Sequence, residues 1–250
     1  SSYDDKIAWY ENDGLGNFGT EQIISTNTDS ALSVYAADLD NDGDIDVLSA
    51  SSYDDKIAWY ENDGLGNFST EQIINTNADI AKSVYTADLD NDGDVDVLSA
   101  SVNDDKIAWY ENDGLGNFSN EQIISTNADG ALSVYASDLD NDGDIDVLSA
   151  SNYDDKIAWY ENDGLGNFST EQIITTSADG AYSVYAIDLD NDDDVDVLSA
   201  SWYDDKIAWY ENDDLGNFGI EQIISTNADG AWSVYASDLD NDGDIDVLSA

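Results

Sequence analysis

The chain has no cysteine, proline, methionine, histidine or arginine, and its only cationic side chains are six lysines. Without cysteine there can be no disulfides and no zinc–thiolate sites, and the redox compartment stays unread. Without proline, no segment is barred from a central strand position. Basic residues are scarce against 57 acidic ones, and the formal net charge is −51. Such a field repels nucleic acid and anionic membranes; metal cations are its natural counter-charge. No apolar run approaches the roughly 18 residues that span a bilayer, so membrane insertion is not expected. No signal peptide is visible, because the sequence opens inside a repeat.

What is present is repetition. The 250 residues form one domain of five 50-residue units, 1–50, 51–100, 101–150, 151–200 and 201–250, without insertion or deletion. At 41% hydrophobic and 11% aromatic residues, the chain can bury a sizeable core. Each unit carries four short runs rich in Val, Ile, Tyr and Trp, separated by Asp/Asn/Gly clusters. In the first complete copy these are Ser33–Ala37, Val47–Ser51, Lys56–Glu61 and Glu71–Asn75. No helical period runs through the unit. Four strands per 50 residues predict one blade of a β-propeller. A β-solenoid is the alternative, but its coils are usually shorter and need capping repeats.

The expected fold is therefore all-β: a five-bladed β-propeller with four antiparallel strands per blade. The last blade is expected to close two-plus-two, with Ser233–Ser237 and Val247–Ala250 joining Lys6–Glu11 and Glu21–Ser25. Closure of this kind leaves no open sheet edge. Membership of a larger ring is the alternative.

The sharpest chemical signal is the nine-residue run from Asp38 to Asp46, D-x-D-x-D-G-x-x-D. Calcium takes six to eight oxygens, and carboxylates at alternate positions converge on one point when the chain curls. The candidate ligands are Asp38, Asp40, Asp42, Asp44 (through its carbonyl) and Asp46. Their copies are Asp88, Asp90, Asp92, Asp94 and Asp96; Asp138, Asp140, Asp142, Asp144 and Asp146; Asp188, Asp190, Asp192, Asp194 and Asp196; and Asp238, Asp240, Asp242, Asp244 and Asp246. The loops hold 26 of the 57 acidic residues, and packed carboxylates repel unless an ion sits among them. Up to five Ca2+ are expected. Mg2+ fits less well, because it demands near-octahedral geometry. An EF-hand is excluded, since Ser49 stands where its closing Glu belongs and the flanks read as strands. In the fourth copy Asp193 replaces the glycine, so a weaker or distorted site is expected there.

These residues carry a resemblance. The run Ala37–Leu48 (A-D-L-D-N-D-G-D-I-D-V-L), together with Asn12–Phe18 (N-D-G-L-G-N-F), resembles the FG-GAP/VCBS repeats of integrin α-subunit propellers and many secreted bacterial proteins. The resemblance implies a propeller with Ca2+ in the loop joining the first and second strands of each blade. Five repeats depart from the usual seven.

Asn12–Phe18 reads as a structural turn with Phe18 tucked against the blade, and Asp214 replaces its first glycine in the fifth unit. Lys6, Lys56, Lys106, Lys156 and Lys206 each follow two aspartates and read as exposed ion pairs.

With strands A to D counted outward, the two positions that differ most between units, the second and the thirty-second, fall at the B–C and D–A loops, opposite the acidic loops. The variable sites are Ser2/Tyr3, Ser52/Tyr53, Val102/Asn103, Asn152/Tyr153 and Trp202/Tyr203, then Ser30/Leu32, Ile80/Lys82, Gly130/Leu132, Gly180/Tyr182 and Gly230/Trp232. Aromatic loop tips suit sugar or protein recognition, which makes Tyr182, Trp202, Tyr203 and Trp232 the candidate ligand-binding residues. The leading expectation is a calcium-dependent extracellular recognition or adhesion module of lectin-like kind, a monomer with a carbohydrate or protein ligand, and not an enzyme. A purely structural or amplified repeat propeller is the second reading. A glycoside hydrolase is the third, weakened because no single Asp or Glu is set apart as acid or base.

Overall fold

The structure, a computed structural model, describes residues 4–250, and every regular element among them is a strand. Strands β1 (Ile7–Trp9) and β2 (Gln22–Ser25) form a two-stranded sheet. Four complete sheets follow. The first is β3 (Ala31–Ala37), β4 (Asp46–Ser51), β5 (Lys56–Tyr60) and β6 (Gln72–Asn75), hydrogen-bonded in chain order. The same meander returns as β7 (Ala81–Ala87), β8 (Asp96–Ser101), β9 (Lys106–Tyr110) and β10 (Gln122–Ser125); as β11 (Ala131–Ser137), β12 (Asp146–Ser151), β13 (Lys156–Tyr160) and β14 (Gln172–Thr175); and as β15 (Ala181–Ile187), β16 (Asp196–Ser201), β17 (Lys206–Tyr210) and β18 (Gln222–Ser225). Strands β19 (Val234–Ser237) and β20 (Asp246–Ser249) make a final pair. The four runs expected in each unit are strands, with ends shifted by one or two residues.

Register follows from the repeat: Val47 faces Tyr60, Leu48 faces Trp59, and Ala50 faces Ile57. Every residue of β5 is buried, because sheets cover both of its faces. Leu39, Leu48, Ile57 and Trp59 of one sheet pack on Val84, Val97 and Tyr110 of the next. The two following interfaces repeat this arrangement. The A strands β3, β7, β11, β15 and β19 lie innermost, side by side around the axis. Their tyrosines Tyr35, Tyr85, Tyr135, Tyr185 and Tyr235 stack in succession with centroids 4.6–5.0 Å apart. Burial pushes the phenols of Tyr35, Tyr85 and Tyr135 up to about 12. The result is a propeller-like, radial stack of four-stranded sheets.

The two half-sheets at the ends stay separate in this structure, in contrast to the expected two-plus-two pairing. Val34 is 57% exposed where Val84, Val134 and Val184 are 3–4% exposed, and Leu248 is 44% exposed where Leu48, Leu98, Leu148 and Leu198 are fully buried. Inside the stack the interfaces are filled by large rings, such as Trp59 against Phe118 at 6.3 Å, whereas at the N-terminal end Phe18 is 67% exposed.

Candidate metal loops and the opposite face

Each acidic loop is strung between strands A and B. Asp38 follows the last residue of β3 and Asp46 opens β4, paired with Ala37. The curl is fixed by its own hydrogen bonds. The Gly43 N–H donates to Asp38 Oδ2 at 3.1 Å, and the Asp44 N–H to Asp42 Oδ1 at 2.8 Å. Gly43, Gly93, Gly143 and Gly243 take φ of 93–97°, a region open to glycine at little cost. Asp193 takes φ 76°, yet its N–H still donates to Asp188 Oδ2 at 3.1 Å, so the fourth loop keeps its curl.

Carboxylate oxygens converge at every loop. Within 4.8 Å of one another lie those of Asp38, Asp40 and Asp42; of Asp88, Asp90 and Asp96; of Asp138, Asp140 and Asp146; of Asp188, Asp190 and Asp196; and of Asp238, Asp240 and Asp246. The Oδ1 atoms of Asp38, Asp88 and Asp138 are buried and accept no hydrogen bond. A buried oxygen without a donor is costly, and a hard cation supplies what it lacks. Burial, with the neighbouring loop carboxylates and Glu61, Glu111, Glu161 or Glu211, pushes Asp40, Asp90, Asp140 and Asp190 upward in pKa. A dication would reverse that direction. The donor set therefore fits calcium.

The ninth position has a second task. Asp96 is fully buried and accepts from the Leu89 N–H at 2.9 Å and the Asn112 N–H at 2.8 Å. The same pair of bonds holds Asp46, Asp146 and Asp196. Burial pushes Asp46 and Asp196 up to about 6, and Asp96 and Asp146 up to about 7. The seventh position turns sideways: Asp94 Oδ1 accepts from Asn41 Nδ2 of the preceding sheet at 2.6 Å, and Asp144 from Asn91 at 2.7 Å. In the fourth loop Asp214 takes over that role, accepting from Asn141 at 2.9 Å, and its charge adds to partial desolvation in raising the pKa of Asp194.

Sequence reasoning missed the asparagine that opens the C–D turn. Asn112 Nδ2 donates to the Leu39 carbonyl of the preceding sheet at 2.8 Å and to the Val95 carbonyl at 2.9 Å; Asn162 and Asn212 do the same one and two sheets on. These bonds clamp the first three acidic loops to the sheet that follows each. The invariance of this asparagine across the units was the available signal. In the same turn, a Cβ on Gly116 would overlap the Trp59 indole. Phe68, Phe118, Phe168 and Phe218 pack edge-on against the tryptophan one sheet back, whereas Phe18 is exposed.

The repeated lysines are buried rather than exposed. Lys56, Lys106, Lys156 and Lys206 are 5–8% exposed. Each is held by two carboxylates at 2.8–2.9 Å, as Lys156 is by Asp154 and Glu171. Burial works against their charge, but these partners outweigh it and hold the pKa above the ordinary value. The intervening chain hides this: the glutamate lies 15 residues away, across the C–D hairpin.

On the opposite face, Tyr182, Trp202 and Trp232 meet in one cluster, with centroids 4.5 Å (Tyr182–Trp232), 4.9 Å (Trp202–Trp232) and 6.2 Å (Tyr182–Trp202) apart. Tyr203 is exposed beside them, over Gly180. Ser2 and Tyr3 lie outside the described residues.

A family model for the FG-GAP-like repeat matches residues 1–49, 38–99, 88–149, 138–199 and 188–249. Comparison with curated proteins gave no match. Among solved structures, the chain is similar to an Agrocybe aegerita lectin that recognises non-reducing terminal N-acetylglucosamine, with TM-score 0.66 at 17% identity over 99% of this chain and 66% of the lectin. It is also similar to virginiamycin B lyase from Staphylococcus aureus (TM-score 0.63, 14% identity, 94% of this chain, 68% of the lyase). A third is an auxiliary nutrient-binding protein from Bacteroides ovatus (TM-score 0.58, 13% identity, 94% of this chain, 61% of that one). The chain thus spans about two thirds of these proteins. Such identities speak for the fold alone, and the set mixes binding proteins with an enzyme.

Proposed function

Because the chain belongs to the FG-GAP-like repeat family, we propose that it is a calcium-loaded five-bladed propeller acting outside the cell as a carbohydrate-recognition module. Asp38, Asp40, Asp42 and Asp46, with their copies, hold one Ca2+ per unit. The ion lets clustered carboxylates stay charged while the Asn112-type clamps fix neighbouring sheets. In solution β20 pairs with β1 and completes the fifth blade, in the register that β4 and β5 use. Calcium has a structural task here, and binding occurs on the other face.

The observation that carries this reading is the place where fivefold repetition breaks down. The acidic loops are copied almost without change, while the differing residues Tyr182, Trp202 and Trp232 assemble an aromatic platform. Flat rings stack on sugar faces at little entropic cost. The lectin and nutrient-binding neighbours are consistent with a binding role. No Asp or Glu stands apart as a catalytic acid or base, which argues against hydrolysis.

A glycan array probed in calcium and again in EDTA tests the proposal. Wild type retains a set of glycans, Trp232→Ala and Trp202→Ala lose them, and EDTA weakens retention. An array silent in calcium would leave only a structural repeat protein.

A further inference from the structure

Beside the aromatic platform, around the axis, lies a cavity of about 500 Å³. Its ten lining residues all occupy four positions of the repeat, the second, third, thirtieth and thirty-second, each of which differs between units. Tyr53, Tyr153 and Trp232 supply rings to its wall, and Ser52 and Asn103 supply hydrogen-bonding groups. Of 250 residues 57 are acidic, yet none of the ten is. In their midst is Lys82, the one lysine outside the repeated D-D-K motif.

Lys82 differs from the others in its surroundings. Each of the other five lysines is held by two carboxylates. Among the described residues, no carboxylate lies within ion-pair distance of Lys82. Two acids that adjoin lining residues in sequence are engaged elsewhere: Asp54 pairs with Lys56 at 2.9 Å, and Asp79 accepts from Asn103 Nδ2 at 3.0 Å. Burial pulls the Lys82 pKa below the ordinary lysine value, the direction expected of an ammonium short of a counter-charge. The wall also stores strain, since Ile80 sits at φ 57° where three other units have glycine at φ 64–69°. A β-branched residue seldom adopts that conformation, and such outliers gather at binding sites.

We propose that this cavity binds a carboxylate-bearing sugar residue of uronic-acid type, its ring against the aromatic wall and its carboxylate on Lys82 Nζ. The inference rests on the saccharide-binding reading of this face and narrows it to acidic sugars. A neutral sugar would leave the ammonium without its anion. A simple anion would leave the aromatic wall unused.

The test is calorimetric titration, in millimolar calcium, of wild type and Lys82→Met with an oligosaccharide ending in glucuronic acid and with its glucose-ended counterpart. Acetate is the third titrant. Wild type is expected to bind the acidic form about tenfold more tightly than the neutral one, the worth of one charge-assisted hydrogen bond. Lys82→Met should abolish that preference. Lys82→Gln repeats the comparison with a polar side chain, should Met perturb the cavity. Equal affinity for both sugars, or a preference surviving in both variants, overturns the inference while the saccharide-binding reading stands. Acetate binding as tightly as the acidic oligosaccharide also overturns it, since the site is then a plain anion pocket. If neither sugar binds, both readings fall.

Discussion

Replacing Asp96 with alanine isolates what the ninth loop position does without an ion. Its carboxylate is fully buried and accepts two backbone N–H groups, from Leu89 at 2.9 Å and Asn112 at 2.8 Å. Alanine leaves both donors with nothing to bind, at about 1–3 kcal/mol each. Part of that loss is returned, because burial already raises Asp96 to about 7 and the ion-free loop carries the cost of holding its charge. At pH 5, where under half of that cost is felt, a net loss of about 1–4 kcal/mol remains. For a chain of this size that is roughly 2–16 °C in Tm. The assay is thermal unfolding at that pH followed by circular dichroism in EDTA, with Asp244→Ala as control. Asp244 is exposed and, among the described residues, its carboxylate accepts no hydrogen bond from another residue, so the control should stay within about 0.5 kcal/mol of wild type. Adding calcium should widen the gap between Asp96→Ala and wild type. If Asp96→Ala melted in EDTA within about 2 °C of wild type, the carboxylate would not be what pins the loop, and the account of the ninth position would fail.

Other perturbations test other parts of the molecule. Calcium at a hundredfold excess over Kd should add about 2.7 kcal/mol per filled site, seen as a rise in Tm that EDTA reverses; a Tm indifferent to both refutes metal binding. Ile80→Gly and Asp193→Gly should each stabilise by about 1 kcal/mol by relieving a left-handed conformation, whereas Ile80→Ala, which keeps it, should not. Lys156→Ala leaves the partly buried Asp154 and Glu171 without their shared cation and should cost roughly 3 kcal/mol in urea unfolding. An exposed pair would cost under about 1 kcal/mol. Ala8→Cys with Ser249→Cys, the register that Ala58 and Ser49 share inside the stack, should form a disulfide within one chain on oxidation. It should also raise stability by about 4 kcal/mol or more. Disulfide-linked dimers in place of that product would show that the half-sheets do not meet within one chain.

The strands could be read from sequence because each β-rich run is bounded by residues that break strands, and five copies average out local ambiguity. The acidic loops could be read because alternating aspartates before a glycine have one economical use, and the chain does curl as that pattern requires. The sequence did not reveal interactions that cross from one unit to the next. Asp94 resembles its neighbours in the loop, yet its side chain answers Asn41, 53 residues earlier. Asn112 looks like a turn residue and clamps a carbonyl 73 residues away. The lysines look solvated because their second carboxylate arrives across a hairpin. Blade closure fails to show for a related reason. Register is a property of two adjacent strands and is written in the repeat, but the meeting of the first and last half-sheets depends on how all the sheets pack around the axis. Identical units therefore specify the blade far more tightly than the ring. The face where the units cease to be identical, around Lys82 and Trp232, is also where a purely repetitive sequence could not have built a site.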